Sequence, residues 1–421
     1  RSRFVRNVIT LASGTAVSQL ITIVAIPLIS RLFDPDEFGV AALFLSIVTL
    51  LAVLATLRFE KAIVLPKSDD TAVNLFMLST ILTFGFSVFI ICVSSVLFMF
   101  GDNTSYIDTL GYWLFLVPLG VFLLASSNIF AGYATRYKAF RGIAYGDVAQ
   151  SISVSGTRIL GGLSQFGISG LISSLLIGFL VKILVVSKSV KRNYHFRLTD
   201  LRDSDLMGLF REYKQFPLYA MPTALLRSLG GNMQILALAF LFDPAIVGYY
   251  AMGNRLLRMP VQFFSESVRT TYLQKSAELL NSSSSLTRPF VQTTVALSLL
   301  GILAISPIAL FGEEIFAFVL GQGWSTAGLF AQIMSPAIFT LFVVAPASTV
   351  FVVLGRQGAL LKIRILSTLS ILVLFIIAHL QEFGPNIAIA WLSIIGSAFN
   401  LLVMYVAYQI IKSRSIEAST N

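Results

Sequence analysis

The sequence predicts an all-α polytopic membrane protein, with twelve transmembrane helices in two six-helix bundles related by a parallel repeat. Three observations predict it. Over 421 residues the chain is 56% hydrophobic and only 12% charged, where soluble domains are about a quarter charged. Its apolar residues gather in runs of spanning length, and roughly 20 helical residues cross a ~30 Å hydrocarbon core in which no backbone group can be left open. The third observation is a turn that occurs twice, as Leu32-Phe33-Asp34-Pro35-Asp36-Glu37-Phe38-Gly39 and Leu241-Phe242-Asp243-Pro244-Ala245-Ile246-Val247-Gly248.

In each copy the aspartate can cap the coming helix, and the proline fits a first helical position that needs no N–H. Two further matches hold the register: Pro118 with Pro336, and Phe166-Gly167 with Phe383-Gly384. The offsets of 209, 218 and 217 residues agree, the pattern of a duplicated chain. The domain division expected is 1–187 for the first bundle, 188–215 for a linker on the cytoplasmic side and 216–421 for the second bundle.

Taken in order, the spans are expected at 8–30, 38–57, 73–99, 111–132, 147–163 and 168–187, then 216–241, 247–268, 289–311, 328–354, 359–380 and 386–411. Arg1, Arg3 and Arg6 lead into the first without a small-residue cleavage site, so it reads as a span rather than a cleaved signal. Six spans per half make the repeats parallel. Turns on one side carry Arg31 against nine acids, among them Asp34, Asp102, Asp108, Asp243, Glu313, Glu314 and Glu382. The other side holds most of the basic residues and is expected to be cytoplasmic, with both termini there. Trp113, Trp324 and Trp391 fall near outer span ends, as interfacial anchors do. The segment Lys188–Lys214 mixes seven basic residues with four acids and reads as an amphipathic surface helix. The run Ser282–Ser285 reads as a flexible loop. Outer loops are too short for a catalytic domain, and Cys92, the single cysteine, excludes an internal disulfide.

Charge inside spans is costly, about 2.5–3.5 kcal/mol for a basic residue at the centre, and marks candidate function. At about 1.5 Å per residue, Arg227 falls roughly 16 Å into the seventh span and Arg158 as far into the fifth. Arg255 and Arg258 fall roughly 12 and 16 Å into the eighth. Arg255, Arg258, Gln262, Glu266 and Arg269 are spaced 3, 4, 4 and 3 apart and share one helical face. Glu266 can neutralise one arginine while others bond to carbonyls near Gly230-Gly231; the remaining positive charge favours an anionic ligand. Lys182 joins these as a secondary cavity candidate, although it lies near enough to a span end to snorkel. His195 and His379 lack a second ligand at metal spacing. With no nucleophilic triad, phosphate-binding loop or paired intramembrane carboxylates, transport is expected rather than enzymatic chemistry.

Arg58-Phe59-Glu60-Lys61-Ala62-Ile63-Val64-Leu65-Pro66, followed by Asp69-Asp70 and Val73-Asn74-Leu75, resembles the segment after the second span of bacterial polysaccharide and O-antigen flippases. These belong to the multidrug/oligosaccharidyl-lipid/polysaccharide exporter superfamily. The resemblance implies alternating access between two facing bundles. Its substrate would be an undecaprenyl-pyrophosphate-linked oligosaccharide, moved from the inner to the outer leaflet with membrane lipid and other polysaccharide assembly proteins as partners. Guanidinium suits that pyrophosphate. No cofactor and no nucleic acid are implied; a coupling ion, Na+ or H+, is left without a site, since the first span carries no charged residue, its interior polar residues being neutral ones such as Ser13, Thr15, Ser18, Gln19 and Thr22. A cation-coupled multidrug exporter of the same superfamily is the alternative, and it would call for an acidic pocket.

Overall fold

A lipid-facing backbone must satisfy its own hydrogen bonds, and the chain does so with helices. The computed structural model describes residues 2–100, 109–191, 206–281 and 285–420. Within them run α1 (Ser2–Ile29), α2 (Pro35–Ala55), the short α3 (Phe59–Ala62), α4 (Asp69–Phe100), α5 (Val117–Arg136), α6 (Phe140–Leu163), α7 (Ile168–Lys191) and α8 (Leu206–Glu212). They are followed by α9 (Met221–Leu241), α10 (Pro244–Asn281), α11 (Thr287–Leu320), α12 (Ser325–Val343), α13 (Ala345–Val353), α14 (Gln357–Leu380) and α15 (Pro385–Thr420). Among the described residues ten stretches are long and apolar enough to cross a membrane. The remaining two of the twelve are α6 and α10, of 24 and 38 residues, which reach about 36 and 57 Å. They fall short of the apolar criterion because they carry the intramembrane charges.

Several boundaries differ from the sequence expectation, each for a local reason. Helix α6 begins at Phe140 rather than 147, since Arg141 and Asp147 interrupt the apolar run without interrupting the helix. Helix α10 continues to Asn281, past the expected end at 268, as a polar extension. The tenth span is two helices, α12 and α13, that meet at Val344. Pro27, Pro307 and Pro336 lie inside helices, and Phe311, four residues beyond Pro307, leaves helical geometry (φ −128°, ψ 31°). Pro118 and Pro222 instead open α5 and α9, where a missing N–H is harmless. The expected surface helix at 188–214 and serine loop at 282–285 fall largely outside the described residues. Of the former, α8 packs Leu206, Leu209 and Phe210 onto the first unit, with Phe210 5.3 Å from Phe59.

The repeat is legible in the helix ends. Gln165 and Glu382, 217 residues apart, are both left-handed (φ 56° and 52°). In each case the next N–H reaches back five residues: Phe166 to the Gly161 carbonyl at 2.8 Å and Phe383 to Ala378 at 2.9 Å. Lys138 and Gly355 repeat this at the same offset, with Ala139 bonded to Ala134 and Arg356 to Phe351. These Schellman-type caps bound α6 and α14, which are both 24 residues long.

The chain divides into two compact units, Arg1–Gly248 and Tyr249–Asn421. In the first, α6 packs on α1 and α7, α5 on α2, α4 and α7, and α9 on α2. A core of Phe59, Leu75, Phe76, Ile129 and Tyr133 sits beneath α3. In the second, α12 lies between α11 and α15, and Phe290, Phe351, Val403 and Tyr272 form the core.

Both Asp-Pro turns lie in the first unit, and they touch. Asp34 and Glu37 form a capping box, the Asp34 N–H donating to Glu37 Oε2 at 2.9 Å. A Cβ placed on Gly39 would land on the Pro244 carbonyl and lie 3.1 Å from the Gly248 nitrogen. One on Gly248 would land on the Pro35 carbonyl and lie 3.0 Å from the Gly39 nitrogen. Glycine at these two positions lets the first turns of α2 and α10 cross backbone to backbone, the close approach that small residues permit in membranes.

Candidate functional site

Helix periodicity sets the arginines of α10 on one side. Measured from its start at Pro244, Arg255 and Arg258 lie 11 and 14 residues in, about 16 and 21 Å along the axis, some 5 Å deeper than the apolar run alone suggested. Both are half-buried. Arg258 Nε donates to Asn254 Oδ1 at 2.7 Å, one turn earlier, so the guanidinium is held by a neutral amide that leaves its charge uncancelled. Arg255 has no hydrogen-bond or ion-pair partner among the described residues. Tyr249 packs edge-on to Trp324 and Phe330, at 6.0 and 6.2 Å. Gly253 lies against the Ala327 carbonyl and Met334. These contacts fix the rotation of α10 within the second unit.

Arg269 lies about 37 Å from Pro244 and is exposed; the side chains of Gln262 and Glu266, expected on the same face, lie outside those described.

In the first unit Arg227 is exposed on α9, about 16 Å from the start of the preceding π-helical turn, Phe216–Ala220. It has no ion-pair partner among the described residues. Arg158 is different. It is 7% exposed, and its Nε donates to Ser174 Oγ at 3.0 Å across the α6–α7 pair. Because α6 starts at Phe140, Arg158 lies five residues, about 8 Å, from the helix end. Arg158 therefore lies farther toward the Gln165 turn than the mid-span depth expected of it. Arg158 and Arg227 belong to one unit, Arg255 and Arg258 to the other.

Lys182 on α7 pairs with Asp147 on α6 at 2.8 Å, both mostly buried. Asp147 stands at the first residue of the expected fifth span, and its signal was the matching charge on the helix that follows. Asn254 and Ser174, which orient Arg258 and Arg158, carry no charge and gave no such signal. A second buried acid, Glu60 on α3, was noted in the sequence only as part of a motif; it pairs with Arg58 at 3.0 Å and is 1% exposed.

Comparison with solved structures places the fold. The chain is similar to an inward-facing multidrug resistance MATE family transporter of the MOP superfamily, with 17% identity, a TM-score of 0.70 and coverage of 97% of this chain and 96% of that one. It is equally similar to the lipid II flippase MurJ in an inward closed conformation, with 14% identity, a TM-score of 0.72 and coverage of 98% and 91%. A MOP superfamily transporter from Pyrococcus furiosus, described by the reverse polarity of its binding pocket, aligns at 15% identity with a TM-score of 0.55, covering 98% and 96%. This likeness establishes twelve membrane helices in two six-helix lobes, the fold of a transporter. No curated protein sequence matches the chain significantly. The model of one family, described as polysaccharide biosynthesis protein, matches residues 28–329, most of the length, and the chain belongs to that family.

Proposed function

We infer that the protein is a flippase that moves an undecaprenyl-pyrophosphate-linked oligosaccharide, a polysaccharide or O-antigen repeat unit, from the inner to the outer leaflet by alternating access. One observation carries the choice: Arg255 and Arg258 sit part-way along a membrane helix with no carboxylate bonded to either among the described residues. A buried guanidinium without a counter-charge is expensive, and a pyrophosphate supplies that counter-charge in a matching planar geometry. Arg227 and Arg158 add positive charge from the first unit. The family supports polysaccharide assembly as the setting. A cation-coupled multidrug exporter would want acids where these helices carry arginines. In this reading the membrane is the bacterial inner membrane, with both termini cytoplasmic.

The test replaces Arg227, Arg255 and Arg258 singly by Ala and measures surface polysaccharide together with the membrane level of the protein. Loss of product at normal protein level in at least one variant is expected. Unchanged product in all three contradicts the reading.

A further inference from the structure

At the end of α2 the chain turns through two consecutive non-glycine residues in the left-handed region, Leu57 (φ 47°) and Arg58 (φ 66°). L-residues avoid this conformation, and it persists where the surroundings impose it, often at a working site. The repeat does not require the corner. At the corresponding place in the second half, about 209 residues on, α10 runs through without a break.

Arg58 and Glu60, at the corner, line a cavity of about 200 Å3 inside the first unit together with Thr49, Thr56, Asn128 and Phe179. Arg58 Nη1 and Glu60 Oε1 pair at 3.0 Å. Two further polar atoms of the pair, Arg58 Nε and Glu60 Oε2, are buried and have no hydrogen-bond partner among the described residues. Buried polar groups are almost always bonded, and leaving one unmade costs its desolvation. Here the residue with a free donor and the residue with a free acceptor both line one cavity, and the two charges cancel. A cation would meet the guanidinium and an anion the carboxylate. A hydroxyl suits both, since it donates to Oε2 and accepts from Nε. Phe179 and Val53 add apolar lining, and Asn128, also in the lining, is exposed.

We propose that this cavity is a sugar subsite, in which Glu60 Oε2 and Arg58 Nε bind a hydroxyl of one sugar of the lipid-linked oligosaccharide. The subsite rests on the flippase reading and is separate from the arginines of α10. Glu60 and Arg58 read the sugar; the pyrophosphate is bound elsewhere.

The full chain in nanodiscs is titrated with undecaprenyl pyrophosphate and with the same lipid bearing glucose, galactose or N-acetylglucosamine. The native protein should bind at least one sugar-bearing lipid about tenfold more tightly than the bare one, as one charge-assisted hydrogen bond allows. Glu60→Gln, which keeps size but weakens acceptance, should abolish that increment and leave affinity for the bare lipid unchanged. Asn128→Ala, in the exposed lining and outside the ion pair, should reduce the increment in protein of native thermal stability. An increment equal to native in both variants, or absent for all three sugars in the native protein, overturns the subsite while leaving the pyrophosphate reading intact. Equal weakening of bare and sugar-bearing lipids by Glu60→Gln assigns the pair to structure and overturns it too. A native protein that binds none of the lipids overturns the flippase reading, and the subsite falls with it.

Discussion

Gly39→Ala tests the crossing of the two repeated turns. The new methyl would fall on the Pro244 carbonyl, well inside 3.0 Å, and the next atom it meets is the Gly248 nitrogen at 3.1 Å. Neither is a side chain that can swing aside, so the first turns of α2 and α10 must part, by roughly 1.5 to 2 Å for ordinary contact. Overpacking of this kind costs about 1–3 kcal/mol, and a rigid backbone on both sides puts the change at the upper end. At about 1.4 kcal/mol per decade, the closely crossed arrangement would lose roughly a hundredfold in population. The assay places spin labels at the exposed Asp36 and Asp243, after Cys92→Ser, and reads their distance distribution in nanodiscs. Gly39→Ala and Gly248→Ala should each lengthen and broaden the distribution. The double variant should add little, because both methyls disrupt one contact. Native distributions in both single variants would refute the backbone crossing.

Two ion pairs give further expectations. Asp147→Asn leaves the Lys182 ammonium without its partner between α6 and α7; after discounting for partial exposure of both side chains, a loss of about 2 kcal/mol is expected. Lys182→Met in the same chain should restore most of it, as measured by thermal unfolding in detergent. Arg136 binds Asp69 Oδ1 at 2.8 Å together with the Pro66 and Ser68 carbonyls at 2.7 and 3.0 Å, clamping the turn before α4. Arg136→Ala should therefore lower thermal stability more than Asp69→Ala, which leaves the carbonyl bonds in place; an equal effect would mean that the carbonyl bonds contribute nothing.

The features most legible in sequence were those with a strict local signature. Asp-Pro and Phe-Gly turns named the repeat, and helix ends at Gln165 and Glu382 carry it into backbone geometry. Apolar length found most spans but misplaced the start of α6 and the end of α10, because hydropathy falls at Asp147 and beyond Arg269 while the helical hydrogen bonds continue. Helical spacing put Arg255 and Arg258 on one face. It could not foresee that Asn254 holds Arg258, nor that Arg158 lies near a helix end and bonds to Ser174, since neutral partners on a helix look like any polar residue. The Arg58–Glu60 corner was hidden for another reason: left-handed backbone at Leu57 and Arg58 is what brings Arg58 against a buried Glu60 after a span.

The account turns on whether the α10 arginines bind an anionic head group. The direct measurement compares undecaprenyl pyrophosphate with neutral undecaprenol for binding to purified protein in nanodiscs, native against Arg255→Ala/Arg258→Ala. A preference for the pyrophosphate that falls about a hundredfold or more in the double variant, in step with the loss of two charge-assisted contacts, is the predicted result. A folded double variant that keeps the native preference would contradict it.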